Sequence, residues 1–129
     1  MTDKAIPWEP FSRQRLAELV TEGRTVFVDF TADWCLTCKA NEAMAIETDD
    51  VRSLLRNRGI AALRADKTEP APKVDEASRL LGNEAASIPF YAVFPGNNPE
   101  RPITLDGVFT SPQPIIEALS KARRGRREG

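Results

Sequence analysis

The sequence predicts one α/β domain in which helices cover both faces of a central mixed β-sheet, built from two parallel strands plus an antiparallel hairpin. Its 129 residues, 41% of them apolar and 29% charged, are typical of a single globular core. The β-branched and aromatic run Thr25–Thr31 is typical of a central strand covered on both faces. Helical and strand patterns alternate after it, which places strands parallel in one sheet. We expect the domain to span residues 1–124 and a flexible basic tail to follow over 125–129.

The first half of the chain contains two strand patterns with helical patterns before and between them. Ser12 is a favoured N-cap residue ahead of the first helical stripe, and Gly23 ends that helix. The predicted segments are a helix over Phe11–Glu22, a strand over Thr25–Thr31, a helix over Cys35–Ile46, a helix over Asp50–Asn57 ending near Gly59, and a strand over Ile60–Asp66.

The sequence of the second half of the chain predicts a β-hairpin between two further helices. A cluster of Pro, Gly and Asn at 95–99 is typical of a turn that joins antiparallel strands. Ser111 is expected to cap the last helix, with Pro112 at its first position. The predicted segments are a helix over Val74–Leu81 closed by Gly82, strands over Phe90–Phe94 and Ile103–Val108, and a final helix that ends in Lys and Arg residues.

Composition excludes several classes of function. The formal net charge is −1, and five basic side chains fall in the last nine residues, so the body of the domain is mildly acidic and nucleic acid is not expected as a partner. The chain has no histidine, which excludes Ser–His and Cys–His nucleophilic sites. No stretch approaches the ~18 apolar residues of a membrane span, and Met1–Pro10 lacks the apolar run of a secretory signal. The missing signal favours the cytoplasm only weakly, because an excised extracytoplasmic domain would look the same.

Cys35 and Cys38, the two cysteines of the chain, lie where the central strand turns into a helix. Unpaired N–H groups at a helix N-terminus favour a thiolate, so Cys35 is the candidate nucleophile. A spacing of three residues brings the sulfurs within bonding reach, so Cys38 is the candidate resolving thiol. Three alternatives stay open: half of an intersubunit zinc site, a static structural disulfide, or buried unreactive thiols.

Asp29 and Glu42 are candidate catalytic carboxylates. Asp29 lies inside an apolar strand, where a carboxylate must be paired, neutral or functional, and it is expected to exchange protons with Cys38. The alternative is a strand with one wet face, from which Asp29 points into solvent. Glu42 follows Cys35 by two helical turns and would disfavour a thiolate, although a surface position is the simpler interpretation. Trp34 is expected either to dock partners beside Cys35 or to pack the turn.

Ile88 and Pro89 precede the third predicted strand. Proline is tolerated at the first residue of a strand, which is the simpler interpretation. A cis peptide bond here would instead direct the Ile88 backbone toward Cys35 and make both residues part of a substrate-binding surface. The basic residues that end the chain are expected to form a solvated helix end, with a membrane-surface contact as the alternative.

The segment Val28–Lys39 resembles the active-site strand and turn of the thioredoxin family; it reads VDFTADWCLTCK. Within that family, Ala32–Glu42 is most similar to the C-terminal thioredoxin-like domains of DsbD-type transmembrane thiol:disulfide reductases. The order of elements and Ile88-Pro89 extend a looser similarity over most of the chain. Leu36-Thr37 differs from the Gly-Pro of ordinary thioredoxins, so the resemblance leaves partner identity open.

The resemblance implies a thioredoxin fold and a protein-disulfide reductase that relays electrons without a cofactor or metal. On that analogy Cys35 attacks, Cys38 resolves, Asp29 and Glu42 tune thiol ionisation, and Pro89 is the cis-proline.

The implied partners are oxidised or reduced proteins, including a membrane-embedded thiol pair, bound through transient mixed disulfides. The implied location is the periplasm or another extracytoplasmic membrane face, and a monomer is expected. A general cytoplasmic thioredoxin and a non-catalytic binding module with the same fold are the alternatives.

Overall fold

The computed structural model of this chain describes residues 5–123 and residue 125. A central β-sheet carries helices on both faces, as predicted. In chain order the elements are β1 (Glu9–Pro10), α1 (Arg13–Thr21), β2 (Val26–Thr31), α2 (Leu36–Asn41), a π-helical turn (Glu42–Ile46) that continues α2, α3 (Asp49–Arg58), β3 (Ala61–Asp66), α4 (Pro72–Leu80), β4 (Phe90–Phe94), β5 (Ile103–Asp106) and α5 (Gln113–Lys121).

The five strands of the described part have the order β1-β3-β2-β4-β5, which puts β2 in the middle. β2 runs parallel to β3, with Asp29 opposite Arg64, and antiparallel to β4, with Asp29 opposite Tyr91. β4 and β5 form an antiparallel hairpin. The predicted parallel pair and the predicted hairpin are therefore confirmed.

β1 is a short edge strand outside the predicted elements. Its two residues pair in parallel with Leu63 and Arg64 of β3. A two-residue pairing leaves no alternating pattern in the sequence, and Pro10 is tolerated there because an edge strand has a free side. β1 matters for the site because it holds the chain beside Arg64, where the backbone N–H of Phe11 also donates to the Arg64 carbonyl at 2.9 Å.

Most predicted boundaries agree with the structure within two residues. Ser12 caps α1, and Gly59 ends α3 in the left-handed conformation, both as predicted. The last helix begins one residue later than predicted, with Pro112 rather than Ser111 at the N-cap. The helix predicted over Cys35–Ile46 changes to π geometry at its second half, a change too short to alter the apolar spacing in the sequence.

Side chains alternate between the two faces of β2 and divide the core into two layers. Val26, Val28 and Phe30 pack with the apolar residues of α1 and α4. Phe27 packs on the other face, among apolar residues of the π-helical turn, α3 and α5. Asp29 has the same parity as Phe27 and therefore faces this second layer. In the described residues, no helix is long and apolar enough to cross a membrane.

The predicted basic tail lies, apart from Gly125, outside the described residues. The Gly125 N–H donates to the Gly23 carbonyl at 2.8 Å, and Gly96 packs against both glycines. A Cβ atom at Gly96 would collide with the Gly23 backbone, so the close approach of these segments requires glycine there.

Asn41, the last residue of α2, is completely buried and ties the helix to the β4–β5 hairpin. Its side-chain Nδ2 donates to the Tyr91 hydroxyl at 3.0 Å and to the Gly107 carbonyl at 2.8 Å. Its Oδ1 accepts from the Phe109 backbone N–H at 2.9 Å. This one amide therefore fixes the position of α2, and the cysteine pair with it, relative to the sheet.

Asn41→Ala should lower the free energy of unfolding by about 2–4 kcal/mol, because it leaves the Gly107 carbonyl and the Phe109 N–H without their buried partner. Urea denaturation measures this loss. Asn57→Ala, the same change at an exposed position of α3, is the control and should stay within about 0.5 kcal/mol of the wild type. Equal effects of the two substitutions would contradict the assigned role of Asn41.

Candidate active site

The cysteine pair lies at the junction of β2 and α2, where the sequence predicts it. Cys35 is the N-cap of α2, and a disulfide joins it to Cys38, whose Cα is 5.2 Å away. The Cys38 backbone N–H donates to the Cys35 sulfur at 3.1 Å. A thiolate on Cys35 would accept the same hydrogen bond, which is the local interaction that favours ionisation at a helix N-terminus.

The two cysteines differ in their access to solvent. Cys35 is 7% exposed and Cys38 is 1% exposed, so the accessible surface of the pair belongs mainly to Cys35. This asymmetry is the one that a first attacking thiol and a second resolving thiol require. The two sulfurs are joined in this structure, so the pair is in its oxidised form. In the described residues, no three Cys, Asp or Glu side chains are grouped closely enough to hold a metal ion.

Ile88 lies against the disulfide, together with Ala32. The Ile88-Pro89 peptide bond is cis, as the resemblance implies. Both residues are half-buried and immediately precede β4, the strand that pairs with β2. The loop before β4 and the turn after β2 therefore meet at the cysteine pair.

Trp34 stands apart from this apolar cluster. Its side chain is 60% exposed, which favours a docking surface over packing within the turn. The indole Nε1–H donates to the Thr68 carbonyl at 3.3 Å, which holds the ring over the segment that follows β3. Trp34 thus presents an exposed aromatic surface beside Cys35.

Thr68 fixes the turn that precedes the cysteines, and the sequence did not identify it. Its hydroxyl accepts from the Asp33 backbone N–H at 2.8 Å and donates to the Asp66 carboxylate at 2.6 Å. The same hydrogen bond holds the pKa of Asp66 below its ordinary value. Carboxylate, hydroxyl and backbone amide thus form a chain that anchors the active-site turn to the end of β3.

Asp29 is buried inside the sheet, with 1% of its surface exposed, so the alternative of a wet strand face is wrong. No group among the described residues donates a hydrogen bond to its buried Oδ2. Burial is the main cause that raises the pKa of Asp29 to about 7, and the negative charge of Glu42 raises it further. Asp29 is therefore poised to gain or lose a proton near neutral pH.

Glu42 is half-buried, with 27% of its side chain exposed. It accepts a hydrogen bond from the Thr31 hydroxyl at 3.5 Å and lies 4.0 Å from the Arg64 guanidinium. The negative charge of Glu42 raises the pKa of Asp29, so the two carboxylates interact electrostatically. The structure thus brings together two of the predicted site residues, one from β2 and one from the π-helical turn.

Sequence reasoning missed two residues that flank Asp29 in the sheet. Arg64 is opposite Asp29 on β3, and its positive charge lowers the pKa of that carboxyl. Tyr91 is opposite Asp29 on β4; burial raises the pKa of Tyr91 and the Asp29 charge raises it further. A charged residue inside a predicted strand is the signal that identified Asp29, and the same signal could have identified Arg64.

The chain is similar in sequence to a DsbD protein. Over 106 residues it is 28% identical to the thiol:disulfide interchange protein DsbD of Vibrio cholerae serotype O1, a match that covers 82% of this chain and 17% of that protein. The chain therefore spans only a small part of the length of this relative.

Solved structures show that the chain has the thioredoxin fold. The oxidised C-terminal domain of DsbD from Neisseria meningitidis is 21% identical, with a TM-score of 0.65, and the match covers 89% of this chain and 100% of that domain. A thioredoxin from Thermus thermophilus is 18% identical, with a TM-score of 0.63, and the match covers 88% of this chain and 84% of that one.

A family model also matches, over residues 7–96. Its matched segment contains Asp29, both cysteines, Glu42 and Pro89. The fold and the disulfide-bonded cysteine pair support thiol:disulfide exchange as the chemistry of this site. Because the model covers more than half of the chain and is described as thioredoxin-like, this chain belongs to the thioredoxin-like family.

Proposed function

We propose that this chain is a protein-disulfide reductase that relays electrons through Cys35 and Cys38, in the manner of a DsbD C-terminal domain. The observation that carries this proposal is the asymmetric pair at the end of β2, in which the accessible sulfur is the one that accepts a backbone N–H. The similarity to the thiol:disulfide interchange protein DsbD of Vibrio cholerae supports dithiol–disulfide exchange, and the reductase direction follows the family resemblance of the active-site segment. No cofactor or metal takes part in the reaction.

The reaction begins from the reduced pair. The Cys35 thiolate attacks one sulfur of a partner disulfide, forms a mixed disulfide and releases the other partner sulfur as a thiolate. The Cys38 thiol then loses its proton, and its thiolate attacks the Cys35 sulfur. This second step forms the Cys35–Cys38 disulfide and releases the partner as a dithiol, so two electrons pass to the partner.

Asp29 is the proposed proton acceptor for Cys38. A thiol as buried as Cys38 needs a nearby base, because burial disfavours its thiolate. A carboxyl group with a pKa of about 7 can take up the proton and release it again near neutral pH. Glu42 has a supporting role, since its charge contributes to the raised pKa of Asp29.

Partner proteins are proposed to dock on Trp34, Ile88 and Pro89. Trp34 provides an exposed aromatic surface beside Cys35, and Ile88 lies directly against the disulfide. A partner segment that approaches the Cys35 sulfur would therefore contact both. The proposed partners are disulfide-bonded proteins and a membrane-embedded thiol pair that returns electrons to the oxidised chain, with the chain acting as a monomer at the extracytoplasmic face of the membrane.

A general cytoplasmic thioredoxin is the second candidate. The TM-score of 0.63 to the Thermus thermophilus thioredoxin is close to the 0.65 of the DsbD domain, so the backbone does not separate the two functions. Thioredoxin reductase separates them, because it should reduce a general thioredoxin quickly and a DsbD-type domain slowly.

Cys38→Ala should accumulate mixed disulfides between Cys35 and partner proteins, because the resolving thiol is absent. We expect at least about 10-fold more trapped partner than in the wild type, measured by non-reducing electrophoresis and mass spectrometry after expression in the native host. The matched control is Cys35→Ala, which leaves only the more buried sulfur and should trap little. If neither variant traps a partner, the chain is better described as a binding module with a structural disulfide.

The reduction potential should be that of a reductase, more negative than about −180 mV, when the oxidised and reduced forms are equilibrated with glutathione buffers. Each ~30 mV of reduction potential corresponds to about 1.4 kcal/mol. The measurement therefore distinguishes a reductase from a protein that introduces disulfides. A potential near −120 mV, typical of proteins that introduce disulfides, would contradict electron donation to partners.

Asp29→Asn should slow the second step of the reaction by about 10²-fold at pH 8, because Cys38 loses its proton acceptor. In the wild type this step should accelerate as the pH rises through about 7, where Asp29 loses its proton, and the variant should lack that rise. Stopped-flow measurement of partner release from a preformed mixed disulfide tests both expectations.

Stability gives an independent check on the Asp29→Asn variant. The pKa of Asp29 is raised from 3.8 to about 7, so the native state binds this proton more tightly than the unfolded chain does. Wild-type stability should therefore fall relative to the variant as the pH rises between about 4 and 7, by roughly 4 kcal/mol in total. Urea unfolding of both oxidised proteins measures the difference, and a constant difference across this range would contradict the raised pKa.

A further inference from the structure

Lys67 is a half-buried lysine on the segment that follows β3, next to Thr68. Its backbone N–H donates to the Thr31 carbonyl at 2.8 Å, which extends the β2–β3 pairing by one residue. The exposed fraction of the Lys67 side chain is 18%. A lysine is seldom drawn this far out of water unless its ammonium group has partners. The partners of Lys67 therefore indicate what the residue does.

The Lys67 ammonium group joins two separate parts of the chain. Its Nζ lies 2.7 Å from the Asp75 carboxylate on α4 and donates to the Ala86 carbonyl at 2.8 Å. Ala86 is buried, and its φ of 50° is a left-handed conformation that a Cβ atom disfavours. The hydrogen bond from Lys67 therefore stabilises a stretch of backbone whose conformation is unfavourable by itself.

Ala86 belongs to the connecting segment 81–89, which joins α4 to β4 and brings Ile88 against the disulfide. On one side, the Asn83 side chain donates to the Ser78 hydroxyl of α4 at 2.7 Å. On the other side, Lys67 ties the segment to the end of β3. The connecting segment is thus held from both α4 and the sheet.

We propose that Lys67 is a positioning residue for partner docking, because its hold on the Ala86 carbonyl keeps Ile88 in the place where a partner protein meets the disulfide. This inference rests on the proposed function, since Ile88 belongs to the docking surface of that reaction. Thr68 holds the turn before the cysteines. Two adjacent residues after β3 therefore hold the two loops that meet at the cysteine pair.

The two steps of exchange should respond differently to loss of the Lys67 ammonium group. Capture of a disulfide-bonded protein requires docking on the surface around Ile88, so a displaced connecting segment should slow this step. Attack of Cys38 on the mixed disulfide takes place inside the cysteine pair and should keep its rate. A small disulfide makes few contacts outside the sulfur atoms, so its reduction should also be unaffected.

The test compares Lys67→Met, Lys67→Arg and the control Lys73→Met. Methionine keeps an apolar stem but removes both polar contacts, whereas arginine keeps donors for the carbonyl and the carboxylate. Lys73→Met makes the same substitution at an exposed position in the first turn of α4. The reduced full chain is mixed with insulin, a disulfide-bonded protein, or with hydroxyethyl disulfide, a small neutral disulfide.

In Lys67→Met, the second-order rate constant for insulin reduction should fall about 10-fold. The rate constant for hydroxyethyl disulfide, and the rate of Cys38 attack on a preformed mixed disulfide, should stay within about 2-fold of the wild type. Lys67→Arg should recover most of the loss, and Lys73→Met should react as the wild type does. Equal losses with both probes, no loss with insulin, or an equal loss in Lys73→Met would overturn the proposal.

Asp75→Asn provides the decision if Lys67→Met does not fold. It removes the carboxylate that holds the ammonium group but leaves the donor to Ala86 in place. Insulin reduction should then fall about 3-fold, with hydroxyethyl disulfide unchanged. An unchanged rate with insulin would overturn the proposal.

Amide hydrogen exchange tests the positioning without any partner. The backbone N–H groups of Ala86 and Ser87 both donate to Asn83 within the connecting segment. Their exchange in the oxidised chain should accelerate about 10-fold in Lys67→Met, and unchanged exchange would overturn the proposal. A wild type that reduces neither probe would instead reject the proposed function, while these amides would still report whether Lys67 holds the segment.

Discussion

A single carboxyl group, buried in the central strand six residues before Cys35, constrains the charged groups around it. Asp29 occupies a position that an apolar residue would fill at lower cost, since burial of an unpaired carboxylate is strongly unfavourable. The fold compensates only in part, with Arg64 on one neighbouring strand, while Glu42 adds a second negative charge nearby. The result is a group whose proton equilibrium lies near neutral pH, which a purely structural residue does not need.

The cysteine pair depends on contacts that converge from three separate parts of the chain. The turn before Cys35 is tied to the end of β3 through Thr68, and Ile88 approaches from the loop before β4. Asn41 fixes the far end of α2 to the hairpin. Such anchoring on rigid elements holds the two sulfurs at bonding distance.

The sequence alone identified the parts of the candidate site that are contiguous in the chain. The strand through Asp29, the turn, and the Cys35–Cys38 spacing lie within one short segment, where local pattern and chemistry agree. The cis bond at Pro89 followed from the family resemblance and not from any local pattern. Arg64, Thr68 and the partners of Asn41 escaped prediction, because their roles arise only from strand register and from contacts between segments distant in sequence.

Two buried polar residues in the same region, Asn41 and Asp29, differ in how completely their side chains are hydrogen-bonded. The Asn41 amide is inaccessible and fully engaged, with donors and acceptor matched to the hairpin, so any change of state would break its contacts. Asp29 is as deeply buried, yet one of its oxygens has no hydrogen-bond donor among the described residues. Protonation of this oxygen therefore breaks no hydrogen bond. The contrast assigns Asn41 to the architecture of the fold and supports the proposal that Asp29 carries a proton during exchange.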